Sequence, residues 1–254
     1  MDIAKSMESN FVNSLRDVKH DNNASFWEDN ESTGFITGYA CSYLNYVFRF
    51  NSSKADIKDQ LSLIIKRFKD RGCPAYWFVG VHTNDPKKVG KALLEVGLEP
   101  ANRGYVGMLL DKSKFQLSPT IEKVTTTQAL KDFIHVFKRG FSISEQPAKF
   151  FEGYFKANFQ NPEQQSLFVG YVNGKPASIS AYYIDSGVNM VHSISTLPEY
   201  RGRGYGRILT ETSILEALKL RDLPVTLYSS EMAERLYQNL GFNHLYVMDK
   251  YVIS

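Results

Sequence analysis

Apolar residues in the first part of the chain alternate between strand-like and helix-like spacing. Phe35-Ile-Thr-Gly-Tyr39 and Tyr46-Val-Phe-Arg-Phe50 are aromatic and β-branched, which predicts strands. From Ile57 the period lengthens. Ile57, Leu61, Ile64 and Phe68 recur at helical intervals, and Gly72 with Pro74 ends that helix. Ala75-Tyr-Trp-Phe-Val79 then reads as a short buried strand. A second helix is predicted over 86–96, closed by Gly97, the residue type that tolerates the left-handed C-terminal cap. Tyr105 to Leu110 reads as a closing strand, and the polar stretch 111–120, with Pro119, as a linker.

The second part opens with two helical patterns, one carrying Leu130, Phe133, Ile134 and Phe137, the other Phe150, Phe151, Tyr154 and Phe155. Leu167-Phe-Val-Gly-Tyr-Val172 meets Asn173-Gly174, and a further strand runs from Ile179 to Tyr183. Asn-Gly supplies the positive φ angles of a tight turn, so a hairpin is predicted. Asp185-Ser-Gly187 makes the next turn, and Val188 to Ser195 forms a third strand. Thereafter the order is loop, helix, strand, helix, strand. A meander flowing into alternating helices and strands predicts an α/β (α+β) fold, a mixed sheet with helices on its faces.

The composition, 43% hydrophobic and 22% charged, is that of a globular protein with a sizeable core. A formal charge of +3 argues for neither a nucleic-acid nor a membrane partner. Cys41 and Cys73 show no metal-ligand spacing and read as ordinary reduced thiols, so no metal is expected. No segment approaches the roughly 20 apolar residues of a membrane helix, and the N-terminus lacks the apolar core of a signal peptide. A cytoplasmic location is expected.

The chemistry concentrates after Ile194-Ser-Thr196, in Leu197-Pro-Glu-Tyr-Arg-Gly-Arg-Gly-Tyr-Gly206. Glycines at alternate positions let backbone N–H groups approach a ligand, and the unpaired donors at the start of the next helix add to a phosphate-binding concavity. Arg201, Arg203 and Arg207 can add charge. A dinucleotide fingerprint on Gly202 and Gly204 would need glycine where Arg207 stands, and the Gly-Lys-Ser/Thr of a nucleotide P-loop is absent. A ligand-free glycine-rich surface loop is the remaining alternative. Further on, Val225-Thr-Leu-Tyr228 reads as a strand and Ser230 as the N-cap of a helix. Ala233, Leu236, Tyr237 and Leu240 share one face of that helix. Tyr237 reads as either a core aromatic or a phenol held beside the sheet for chemistry.

With these residues in view, the sequence resembles the GNAT superfamily of N-acetyltransferases. Thr196-Leu-Pro-Glu-Tyr-Arg-Gly-Arg-Gly-Tyr-Gly206 matches the family signature Arg/Gln-x-x-Gly-x-Gly/Ala at Arg201, Gly204 and Gly206. Ala233-Glu-Arg-Leu-Tyr-Gln-Asn-Leu-Gly-Phe242 matches the family's later helix. The resemblance implies a mixed, mostly antiparallel GNAT-type sheet, acetyl-CoA as acyl donor and a primary amine as acceptor. It implies that the CoA pyrophosphate meets Arg201, Gly202, Arg203, Gly204, Tyr205 and Gly206, and that the pantetheine arm lies along Ile194, Ser195 and Thr196. It also implies that Tyr237 protonates the departing thiolate, by direct attack without an acyl-enzyme. Many members carry asparagine where this chain has Ser230, which leaves that cofactor contact in question. His192 is the titratable side chain placed to take the amine's proton, or else an ordinary polar strand residue; Glu199 is the next candidate. Phe141, Tyr182 and Tyr183 are candidates for the acceptor site. A non-catalytic acyl-CoA sensor or scaffold is the alternative function.

The N-terminal half reads as a faded copy of the same unit. Lys91-Ala-Leu-Leu-Glu-Val-Gly-Leu98 aligns with Arg235-Leu-Tyr-Gln-Asn-Leu-Gly-Phe242, which puts Leu93 where Tyr237 stands. An aliphatic side chain cannot give up a proton. The expected organisation is a degenerate GNAT-like domain over 1–115 and a catalytic GNAT domain over 116–254, two units in tandem.

Overall fold

The computed structural model describes residues 1–16, 23–52, 57–114, 122–159, 161 and 163–254. Much of the expected linker, with the expected boundary at 115/116, lies outside the described residues. The first half runs α1 (Ile3–Arg16), β1 (Ser25–Glu28), β2 (Thr33–Ile36), β3 (Tyr46–Phe48), α2 (Ile57–Lys69), β4 (Ala75–Val79), α3 (Pro86–Glu95), β5 (Glu99–Pro100) and β6 (Tyr105–Leu110). It continues with β7 (Glu122–Lys123), α4 (Thr127–Gly140), α5 (Glu145–Asn158), β8 (Gln165–Val172), β9 (Lys175–Asp185) and β10 (Val188–Thr196). Last come α6 (Tyr205–Leu220), β11 (Val225–Ser229), α7 (Glu231–Asn239) and β12 (Phe242–Ile253).

The chain divides into two compact units. One comprises Met1–His20 with Gly107–Leu245; the other comprises Asp21–Val106 with Tyr246–Ser254. The first unit therefore takes helix α1, and the second the end of β12, from outside its main run of sequence, and the chain passes from unit to unit within β6 and within β12.

In the first of these units the strand order is β6-β11-β10-β9-β8-β7. The β8–β9 hairpin turns at Asn173 and Gly174, with φ of 51° and 73°, as the sequence predicts. Burial runs nearly unbroken along β8, β9 and the first part of β10, so the sheet buries both faces. One face packs Leu167, Val169, Ile179 and Ala181 against Leu130, Phe133 and Phe137 of α4 and Phe155 of α5. On the other, Phe168, Tyr182 and Ile184 meet Leu209 and Ala217 of α6. Helix α1, which the sequence pattern did not signal, also belongs here. The amide of Asn10, fully buried, donates to the carbonyls of Tyr183, Asp185 and Val188, at 3.2, 3.1 and 3.3 Å. That bond set ties α1 to the β9–β10 turn.

In the second unit β1-β2-β3-β4 is followed by the last part of β12, with β5 paired to β12. Strands β3 and β4 are parallel, joined through α2, just as β10 and β11 are joined through α6. Ile57, Leu61, Ile64 and Phe68 of α2 pack with Leu93 of α3 and Trp77 of β4 into one core, so the helical spacing seen in the sequence is the buried stripe.

Candidate active site

The site is built where two parallel neighbours stop pairing. Strands β10 and β11 share the Cα partners Asn189–Val225 and Met190–Thr226 and no more, although β10 continues to Thr196 and β11 to Ser229. Strand β10 is bent beyond that point by a bulge. Between His192 and Ser195 it carries one residue more than β9 does between Ala181 and Ile179, and Ser193 takes φ of 51°. A bulge redirects a strand and increases its twist. The result is an open edge along Ile194, Ser195 and Thr196, facing away from β9.

The loop after β10 follows directly. Its Arg201 N–H is used, donating to the Pro198 carbonyl at 3.3 Å, and its guanidinium is turned back onto the protein. Arg201 Nε donates to the Thr196 carbonyl at 3.0 Å and Nη2 to that of Gly140 at 3.4 Å. The run of donors expected from Arg201 to Gly206 thus begins one residue later. From Gly202 to Arg207 no backbone N–H meets a protein acceptor among the described residues; the helical ladder starts with Ile208, bonded to the Gly204 carbonyl at 3.1 Å. Gly202 and Gly204 have φ of 75° and 83°, so only glycine holds these positions without strain. Gly204 is the N-cap of α6, and no side chain caps the helix there. Six consecutive donors at the positive end of a helix form an anion cradle. Arg203 is exposed beside it. Arg207 is tied through Nε to the buried Glu211 carboxylate at 2.8 Å.

Tyr237 comes to the same region on α7. A Cβ at Gly206 would lie 3.4 Å from Thr196 Oγ1 and 3.8 Å from Cδ2 of Leu236, the neighbour of Tyr237. The end of β10, the start of α6 and the inner face of α7 therefore converge. Tyr237 is 4% exposed and its ring lies 6.0 Å from that of Phe242. Its hydroxyl makes no hydrogen bond to a described residue, and burial pushes the phenol well above its ordinary range. Ser230 does sit at the N-cap of α7, but its hydroxyl makes no capping bond.

His192 lies on the face of the sheet that α4 and α5 cover. Its Nδ1 is 3.0 Å from Ser193 Oγ and its Nε2 is 3.4 Å from Nε2 of Gln165. Burial pushes its imidazole down to about 4, against the pull of a hydrogen bond to the Tyr182 backbone, so the ring is neutral near pH 7. Gln165, a polar residue in an apolar strand, is the neighbour that sequence reasoning missed; only the register of β8 against β9 brings it here. Glu199 is exposed and forked onto Arg139, at 2.9 and 3.5 Å, which together with its own backbone N–H holds the carboxyl low.

The acceptor-site candidates separate. Phe141 is 46% exposed at the end of α4, 5.0 Å from the Phe137 ring. Tyr182 and Tyr183 are each 1% exposed on opposite faces of the sheet. The first packs on Phe168 and the second accepts a 2.7 Å bond from Gln164. Among the described residues no cluster of His, Cys, Asp or Glu could hold a metal ion.

A splayed parallel pair, a glycine-lined donor loop at a helix start and a buried phenol thus meet in one place. Residues 163–244 match the family model described as an acetyltransferase (GNAT) domain, the stretch that holds β8 to α7. Over that stretch the chain is similar to a GNAT domain, and the likeness of fold to solved GNAT proteins extends over nearly its whole length. It superposes on a GCN5-related N-acetyltransferase from Kribbella flavida with a TM-score of 0.73 at 16% identity, covering 99% of this chain and 95% of that one. A GCN5-related N-acetyltransferase from Sphaerobacter thermophilus gives 0.63 at 13% identity, covering 99% and 90%. A tandem GNAT protein from the clavulanic acid biosynthesis pathway gives 0.63 at 9% identity, covering 96% and 93%. No curated protein matches the sequence.

Proposed function

We propose that this protein is an acetyl-CoA-dependent N-acetyltransferase acting on a primary amine by direct attack. One observation carries the reading: the unpaired N–H run from Gly202 to Arg207 opens beside the splayed end of β10, with the Tyr237 hydroxyl free of protein partners. These residues fit acetyl-CoA. Six donors suit a pyrophosphate, the open edge at Ile194 to Thr196 suits an amide-bearing arm, and Arg203 is an exposed cation beside the cradle. Ser230 offers a further hydroxyl.

Acetyl-CoA supplies a thioester whose acetyl group an amine can take. The chain's own part is to bind, orient and hold a proton. The neutral Tyr237 phenol keeps its proton at every pH the cell meets, so it is always able to donate toward a departing thiolate. We propose that Phe141, exposed at the end of α4, contacts the acceptor; for Tyr182 and Tyr183, both core side chains, we propose no such contact. The unit completed by Asp21–Val106 is the degenerate partner. There Phe50 is buried edge-on to Trp77 at 5.3 Å, and the Asn84 N–H donates to Asn51 Oδ1 at 2.8 Å, linking the loops that follow β3 and β4.

The test is thiol release from acetyl-CoA across a panel of amines, with Tyr237→Phe alongside. Release that depends on the amine and falls in the variant supports the enzyme. Tight binding of acetyl-CoA with no release would transfer the weight to an acyl-CoA sensor.

A further inference from the structure

We infer that Ser178 is a positioning residue for acetyl-CoA. It turns the Thr196 hydroxyl into a pure hydrogen-bond acceptor, which marks where the phosphate cradle ends and the amide-bearing arm begins. The inference rests on the acetyl-CoA reading of this site and adds to it a residue from the neighbouring strand.

Ser178 lies on β9, opposite Thr196 in the antiparallel register, and is fully buried. Its Oγ is 2.9 Å from the Ser195 carbonyl and 2.7 Å from Thr196 Oγ1. Together these contacts set the direction of both hydroxyls. A carbonyl can only accept, so the one proton of Ser178 goes to Ser195. The 2.7 Å contact would then bring lone pair against lone pair unless Thr196 supplies its own proton. With that proton spent, Thr196 Oγ1 can only accept, and it has no other hydrogen-bond partner among the described residues. The Thr196 carbonyl is already engaged by Arg201 Nε at 3.0 Å.

Thr196 is half-buried at the open edge of β10. Its Oγ1 is 3.4 Å from where a Cβ on Gly206 would stand, so it borders the run of backbone donors from Gly202 to Arg207. An ionised phosphate presents only lone pairs, which another acceptor repels, whereas an N–H or O–H is attracted. One acceptor at the border of a donor array therefore sorts the two parts of the ligand. The arm of acetyl-CoA carries amide N–H and hydroxyl donors; its pyrophosphate carries none. A second hydroxyl pair shows the contrast. Two residues further along β9, Ser180 donates to the Leu209 carbonyl at 2.7 Å and lies 2.6 Å from Ser213 Oγ, but both serines are fully buried and face no ligand. The pairing that serves packing at Ser180 serves recognition at Ser178.

The experiment is calorimetry of the full chain with two probes, acetyl-CoA and 3′-phospho-ADP, the second keeping the pyrophosphate and lacking the arm. Ser178→Ala should weaken acetyl-CoA about tenfold and hold 3′-phospho-ADP within about twofold, because one hydrogen bond to the arm is what changes. Thr196→Val, of the same shape and at a half-buried position, should do likewise, and it keeps the test decisive should Ser178→Ala fail to fold. Thr196→Ser, which retains the hydroxyl, should bind both probes as the wild type does. The double variant Ser178→Ala/Thr196→Val should bind acetyl-CoA no more weakly than Thr196→Val alone, since the effect of Ser178 passes through Thr196. Equal losses for both probes would make the pair merely structural and overturn the inference. Unchanged acetyl-CoA binding in Ser178→Ala, or losses that add in the double variant, would overturn it too. No binding of acetyl-CoA by the wild type would sink the acetyl-CoA reading and the inference with it, whereas wild-type binding without a probe-selective loss would sink the inference alone.

Discussion

Tyr237 lies on the buried face of α7, where the cost of charging a phenol keeps it protonated and where no described protein group competes for its proton. Tyr237→Phe removes only the hydroxyl and preserves the ring contact with Phe242. It should lower kcat about a hundredfold while leaving acetyl-CoA affinity within about twofold, the pattern expected when a general acid is lost. Steady-state kinetics with calorimetric binding would decide. A second residue-scale effect concerns stability. His192 has a folded pKa depressed from 6.5 to about 4, so its contribution is fully present above the unfolded value and is lost as pH falls toward 4. The loss amounts to at most about 3 kcal/mol. Urea unfolding at a series of pH values should show this decline between roughly pH 6.5 and 4, and His192→Gln should flatten it.

At the scale of elements, close approach is bought with missing side chains. Helix α4 ends against β10 at Gly140, where a Cβ would stand 2.0 Å from Ser195 Oγ and 3.1 Å from Ser195 Cβ. Gly140→Ala should force the two apart and destabilise the protein by about 1–3 kcal/mol, measurable as a lower urea midpoint. Gly204→Ala meets no steric block but must hold φ near 83°. It should weaken acetyl-CoA binding about tenfold with a stability loss of about 1 kcal/mol, read by calorimetry and by thermal unfolding. Much at this scale was legible in the sequence. The helical stripes of α2, α4 and α5 and the Asn173-Gly174 hairpin are local patterns, and local patterns survive into the fold. The bulge at Ser193 was not legible, because it is a property of register between two strands. The Arg201 side-chain contacts were not legible for a related reason: the motif fixes where the backbone goes, but the carbonyls of Thr196 and Gly140 that the side chain meets are brought near only by the fold. Helix α1 stayed hidden because its buried side includes Glu8, Asn10 and Ser14, and its partners lie some 170 positions further along the chain.

Across the whole molecule, the compact units and the linear sequence are out of step, and this sets how the chain can be cut. A fragment of residues 116–254 contains the whole expected catalytic domain, with the glycine loop and Tyr237. It lacks two parts of the compact unit that holds them. Without α1, the carbonyls of Tyr183, Asp185 and Val188 lose the Asn10 amide, and the apolar surface under Met7 and Val12 is uncovered. Without Gly107–Leu110, β11 loses its neighbour on the side away from β10, which leaves a bare strand edge. The fragment would also carry Tyr246–Ser254, a strand that belongs to the other unit. The expected outcome is a fragment that aggregates or unfolds without cooperativity, even though every residue proposed for the chemistry is present. Asn10→Ala in the full chain isolates one part of the effect. It removes the bonds that α1 gives to three carbonyls and should destabilise the protein by about 1–3 kcal/mol while leaving kcat near its original value. A fragment that folded cooperatively and bound acetyl-CoA normally would show that α1 and Gly107–Leu110 are additions to a self-sufficient domain. Failure of the fragment, together with a folded but weakened Asn10→Ala protein, would show that the catalytic unit is completed by chain segments from outside its own half.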